Sequence, residues 1–134
     1  FQPGGSRMAK RKAIYVKEFL HGNPIPAASR IGPFVQTGVI SGKDPATGDM
    51  PDAMEDQLTN LFGHIQRIVE AAGGSTEDIL KITFWMGDPS ERAKLNEPWV
   101  AMFPDEAPRP TRHTLPGSAA AASKVQCSFT AIIE

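Results

Sequence analysis

The chain has 134 residues, 40% hydrophobic and 22% charged, with a formal net charge of -1, which suits one soluble domain and is too short for two separate cores. Lys and Arg number 14 against 15 Asp and Glu, so the basic excess that dominates nucleic-acid affinity is missing and no nucleic-acid partner is expected. The single cysteine, Cys127, excludes an intramolecular disulfide scaffold and a cysteine-rich zinc site and fits a reducing, cytoplasmic setting, while no apolar run approaches the ~20 residues of a membrane span.

Residues 1–7 precede Met8 and resemble the end of a protease-cleavable tag, so the expected domain runs from residue 8 to 134. Lys10, Arg11 and Lys12 read as solubilising charges at a mobile terminus. After the proline-rich Asn23–Pro26, the β-branched and aromatic stretch Ile31–Ile40 predicts a strand or a bent pair of strands. Asp44–Asp49 collects turn formers and predicts a surface loop. Met54, Leu58, Leu61, Phe62, Ile65, Ile68, Val69 and Ala72 recur at three- and four-residue steps, so an amphipathic helix is expected from about Pro51 to Ala72. Acidic residues near its start and Gly73-Gly74 after its end suit the two poles of a helix.

Ile79–Met86 is apolar, short and rich in β-branched and aromatic residues, and predicts a buried strand. Asp88-Pro89-Ser90-Glu91 follows in capping-box order and predicts a second helix to about Phe103. Three prolines make 104–110 a loop, which delivers the chain into a strand at Thr111–Leu115. Val125, Cys127, Phe129, Ala131 and Ile133 alternate with polar residues as a strand with one buried face does. Two helices should then cover one face of a mostly antiparallel sheet, an α+β domain. The other face has no cover left in so small a chain, and oligomerisation through it is expected.

Arg112 follows a proline-stiffened loop, where a guanidinium can be aimed at a carboxylate and grip it with two hydrogen bonds. Strand geometry puts Thr114 on the same side as Arg112 and His113 on the other, so His113 reads as structural. Cys127 sits on the apolar alternation and reads as a small buried hydrophobe. The spacing of His21, His64 and His113 fits no zinc pattern, and neither a phosphate-cradling glycine string nor a serine-hydrolase elbow is present. Asp105 and Glu106 read as a solvated acidic loop, and Trp85 and Trp99 as core or interface packing. No metal site and no cofactor are expected. From the residues alone the result is a small α+β oligomer that binds a carboxylate.

Four segments in order, Asp44-Pro45-Ala46-Thr47-Gly48, Ile68-Val69-Glu70-Ala71-Ala72-Gly73, Asp78-Ile79-Leu80-Lys81 and Pro110-Thr111-Arg112, resemble the RidA/YjgF family from about Asn23 to Glu134. The resemblance implies a chorismate-mutase-like fold and a homotrimer with ligand clefts between subunits. It also implies hydrolytic deamination of 2-imino acids, or of the enamines that tautomerise to them, as in a 2-iminobutanoate/2-iminopropanoate deaminase, giving 2-keto acids and ammonia. Arg112 matches the family arginine that grips the substrate carboxylate, and Thr37-Gly38 match a Ser-Gly pair whose backbone lines the same cleft. Ser128 stands where active deaminases carry a glutamate that helps position the attacking water. Thr114 stands where many members have a cysteine, and a cleft-entrance tyrosine has no counterpart around Ile25 to Arg30. The resemblance thus implies a deaminase of weakened or altered activity, with Arg112 and Ser128 as its catalytic pair and Thr37, Gly38 and Thr114 lining the substrate. The alternative is a non-catalytic trimer that senses or carries a small carboxylate metabolite.

Overall fold

The alternation in the last strand sets the centre of the sheet. In the computed structural model, which describes residues 10–117 and 122–134, that strand is flanked on both sides. The elements are β1 (Lys12–Ile14), β2 (Ala28–Ile31), β3 (Phe34–Thr37), β4 (Ile40–Ser41), α1 (Met54–Ala71), β5 (Ile79–Met86), α2 (Asn96–Met102), β6 (Thr111–Pro116) and β7 (Val125–Ile132). The sheet order is β1-β2-β3-β7-β5-β6, with β4 also paired to β7. Every pairing is antiparallel except β5 with β6. That exception follows from connectivity, since the chain between β5 and β6 contains a helix and can cross over to restart in the same direction.

β5 and β7 match their expected spans, and the helices and the mostly antiparallel sheet form the expected α+β arrangement. The stretch Ile31–Ile40, read as a strand or bent pair, holds β3 and the start of β4, and its expected start is corrected: β2 begins earlier, at Ala28, and pairs with β3 in a hairpin where Gly32 at φ 57° reverses the chain between Ile31 and Phe34, a conformation that a side chain disfavours. β1 corrects the reading of Lys12 as part of a mobile tail: Lys12 pairs with Arg30 and Ile14 with Ala28, in a strand of three residues, too short to show alternation. The second helix is also corrected. Pro89–Leu95 is a 3-10 segment, opened as expected by the Asp88 side chain accepting from the Ser90 amide, and only Asn96–Met102 is α-helical. In an α-helix running through both, the ring of Pro98 would meet the carbonyl of Lys94, whereas in the first turn of a new helix it is tolerated. Residues 1–7 lie outside the described residues, as does most of the 119–122 alanine run.

Ile82, Phe84 and Met86 of β5 and Val125, Cys127, Phe129 and Ala131 of β7 are buried with Leu58, Leu61, Phe62, Ile65, Ile68 and Val69 of α1. α2 joins this layer through Trp99, whose ring meets Phe84 edge-on at 6.3 Å. α1 also carries a polar seam. Gln57 and His64 are fully buried. Gln57 donates to the Pro51 carbonyl and accepts from the Lys124 amide, Asn60 donates to the Gly42 carbonyl, and His64 Nε2 lies 2.7 Å from the Lys43 carbonyl. The helix is thereby held to the segment leaving β4 by hydrogen bonds that a hydrophobic pattern does not reveal. At its far end Arg30 Nη1 donates to the Ala72 carbonyl at 2.7 Å, supplying a cation to the negative pole of the helix. Among the described residues the opposite face of the sheet carries no helix: Ser128 and Thr83 are half-buried there, and Phe34 is 61% exposed.

Candidate functional site

Among the described residues β6 is an edge strand, bonded to β5 alone. Arg109 anchors the loop before it, with Nε donating to the Phe103 carbonyl at 2.9 Å and Nη2 to the Pro104 carbonyl at 3.1 Å. Arg112 stands opposite Ile82 and Thr114 opposite Phe84. Paired residues share a face, so Arg112 and Thr114 lie on one side as expected, here the helix side, and His113, opposite Thr83, points away.

The Arg112 guanidinium is held on two sides. Its carbon lies 5.2 Å from the centre of the Trp99 ring, in cation–π range, and Nη2 donates to Asn96 Oδ1 at 2.5 Å. Nη1 is buried and has no hydrogen-bond partner. Burial lowers the pKa of the group from the arginine value, yet arginine keeps its charge in proteins. A fixed, partly desolvated cation with a free donor is suited to a carboxylate or another planar anion. Asn96, which opens α2, is a partner that sequence reasoning missed, and nothing in its spacing from Arg112 pointed to it.

Ser128 stands on the other face, opposite Thr83, and on that same face Thr83 also neighbours His113. Thr37 has a structural duty: β7 pairs with β3 up to Thr130 and with β4 from Cys127, and across this gap Thr37 Oγ1 accepts from the Phe129 amide at 3.0 Å. Its own hydroxyl donates to the Gly38 carbonyl at 2.8 Å. β3 is three strand spacings, roughly 14 Å, from β6. A single chain therefore brings Arg112 and Thr114 together, and keeps Ser128 and Thr37-Gly38 apart from them.

Cys127 is fully buried, and burial raises its thiol pKa far above the usual range, which leaves a packing role. His64 sits between the Lys43 carbonyl and Arg67 Nη2, 3.2 Å from Nδ1, and desolvation lowers its pKa, so its ring is a structural bridge. Glu106 is exposed in the proline-rich loop. Among the described residues no cluster of three or more His, Cys, Asp or Glu could hold a metal ion, and no helix is long and apolar enough to cross a membrane.

Comparison with known proteins adds independent findings. The family profile described as Endoribonuclease L-PSP matches residues 24–132. The 2-iminobutanoate/2-iminopropanoate deaminase of Escherichia coli K12 is 33% identical over 87 residues, 58% of this chain and 67% of that protein. Among solved structures, RidA from the Antarctic bacterium Psychrobacter sp. PAMC 21119 superposes with a TM-score of 0.82 at 27% identity, covering 91% of this chain and 99% of that one. E. coli TdcF with bound serine also gives 0.82, at 25% identity, covering 92% of this chain and 99% of that one.

Proposed function

The chain belongs to the Endoribonuclease L-PSP, or RidA/YjgF, family, and from that premise we propose that it is a homotrimeric, cytoplasmic, hydrolytic deaminase of small 2-imino carboxylates whose clefts are each shared by two copies. The observation that carries this reading is the Arg112 guanidinium, stacked on Trp99 and held by Asn96 with Nη1 left to donate to a ligand. The deaminase named above is a relative whose substrates have a carboxylate beside an imine, and the serine in the TdcF structure is a small molecule with a carboxylate.

Sharing between copies answers the separation inside one chain. The β6 edge of one copy, set against the uncovered face of the next, brings Arg112 and Thr114 to Ser128 and to the Thr37-Gly38 turn. Arg112 fixes the carboxylate and hence the position of the adjacent C=N carbon. Water adds to that carbon, the nitrogen gains a proton, and the resulting carbinolamine expels ammonia to leave the 2-keto acid. Because an imine is already electrophilic, orientation supplies much of the acceleration. Ser128 can hold the water but is a weak base, and general-base help is typically worth 10²–10⁴-fold. That hydroxyl is also the observation that favours the second reading, a trimer that binds a small carboxylate without turning it over.

Light scattering should give a mass near three times that of the 14.5 kDa chain across a dilution series. In an assay that generates imino acids with an amino-acid oxidase and follows 2-keto acid release, the protein should accelerate hydrolysis above the spontaneous rate. A stable monomer would remove the shared cleft. A trimer that binds 2-oxobutanoate and leaves the spontaneous rate unchanged would replace the enzyme with the binding protein.

A further inference from the structure

The uncovered face of the sheet carries a row of which the deaminase chemistry above uses only Ser128. β7, β5 and β6 lie side by side, and their registers pair Ser128 with Thr83 and Thr83 with His113. Paired residues in neighbouring strands share a face and lie about 5 Å apart, so Ser128, Thr83 and His113 form one line across three strands, roughly 10 Å end to end. Ser128 and Thr83 are half-buried and His113 is exposed at the open end. Two residues along β5, Lys81 is paired with both Thr130 and Thr111 and is the charged neighbour on this face, while Trp85, paired with Gln126 and Leu115, closes the other side. The row therefore has two hydroxyls able to hold a water and one imidazole able to take its proton. Imidazole is the commonest side-chain general base, and Thr83, midway along the row, stands one strand spacing from both His113 and Ser128.

We propose that His113 is the proton acceptor for the attacking water in the deaminase reaction, with Thr83 and Ser128 holding that water. This inference rests on the deaminase reading and assigns it a base on the same face as Ser128, within the same subunit. Water oxygen bonds to the C=N carbon as His113 takes one of its protons, and the π electrons move to the nitrogen, which receives that proton back from the imidazolium. In the second half the carbinolamine hydroxyl passes its proton through His113 to the amine, the C=O bond forms, the C–N bond breaks, and ammonia leaves. His113 returns to its starting state, and water and imine are the only reactants.

The test compares the wild-type trimer with His113→Gln and with the double variant His113→Gln/Ser128→Glu in the oxidase-coupled assay over a pH series. Light scattering and 2-oxobutanoate binding serve as controls on assembly and on the Arg112 anchor. His113→Gln should bind 2-oxobutanoate like the wild type and lose kcat by 10²–10⁴-fold. Added imidazole should restore part of the rate, and the double variant, with a carboxylate in the same row, should recover much of it. Wild-type turnover matched by His113→Gln would overturn the role of His113 and leave the deaminase intact. No wild-type turnover at all would overturn both.

Discussion

Arg112→Ala should abolish the rise in melting temperature that 2-oxobutanoate gives the wild-type protein, without unfolding it. A ligand present at 100 times its Kd stabilises the folded state by about 2.7 kcal/mol. Removing the guanidinium takes away two hydrogen bonds to a charged partner, each worth about 1.5–3 kcal/mol, so affinity should fall by roughly 10²–10⁴-fold. At the same ligand concentration the stabilisation then drops to about 0.4 kcal/mol or less. The truncation leaves Trp99 in place against Phe84 and Phe103 and loses a cation–π contact worth about 0.5–1 kcal/mol, a small cost for the fold. Arg112→Lys should also bind poorly, because an ammonium cannot satisfy the Asn96 acceptor and a carboxylate in the planar, forked geometry of arginine. Thermal shift with and without ligand measures both. An Arg112→Ala protein with the full wild-type shift would make Arg112 a structural residue.

Gly42→Ala is expected to be the most damaging conservative change to the fold. A Cβ at Gly42 would lie 2.4 Å from the Gln57 carbonyl oxygen and 2.7 Å from the Gln57 Cα, both backbone atoms of a helix that cannot turn aside as a side chain would. Relief requires α1 to shift away from the segment after β4, and that shift stretches the bonds from Asn60 to the Gly42 carbonyl and from His64 to the Lys43 carbonyl. Overpacking of this kind costs about 1–3 kcal/mol, and more when backbone must move, so the melting temperature should fall by roughly 10 °C. Gly48→Ala is the control: it meets no atom within 4 Å and carries only the strain of φ 79°, so it should cost less. Equal losses for the two variants would remove the close helix contact as the cause.

Apolar periodicity exposed the elements that bury one face. The Ile79–Met86 run and the alternation after Val125 gave β5 and β7 nearly residue for residue, and the three- and four-residue steps gave α1, although it starts at Met54 and not at the expected Pro51. β1 escaped because three residues hold no period, and the break at Leu95 escaped because capping chemistry at Asp88 suits a 3-10 turn as well as an α-helix. Of the site, the shared side of Arg112 and Thr114 was legible in strand parity, as was the burial of Cys127. Parity across strands was not: the opposite facing of Arg112 and Ser128, and the row joining Ser128 to His113, depend on register between segments far apart in sequence. Asn96 was illegible for the same reason, since its bond to Arg112 closes only after α2 packs over the sheet. The role of Thr37 in bridging β3 and β4 through the Phe129 amide likewise depends on where two neighbouring strands stop.

The central claim, a cleft shared by two copies, is tested most directly by subunit mixing. Arg112→Ala removes the anchor, and Ser128→Arg fills the opposing face, so each variant trimer should bind no 2-oxobutanoate by calorimetry. After equal amounts are unfolded together and refolded, about one cleft in four should combine an intact Arg112 from one copy with an intact Ser128 face from another, if subunits assort at random around a closed ring. Titration should then recover about a quarter of the wild-type site number at wild-type affinity. If the mixed trimers remain without binding, each site lies within a single chain and the shared cleft is wrong.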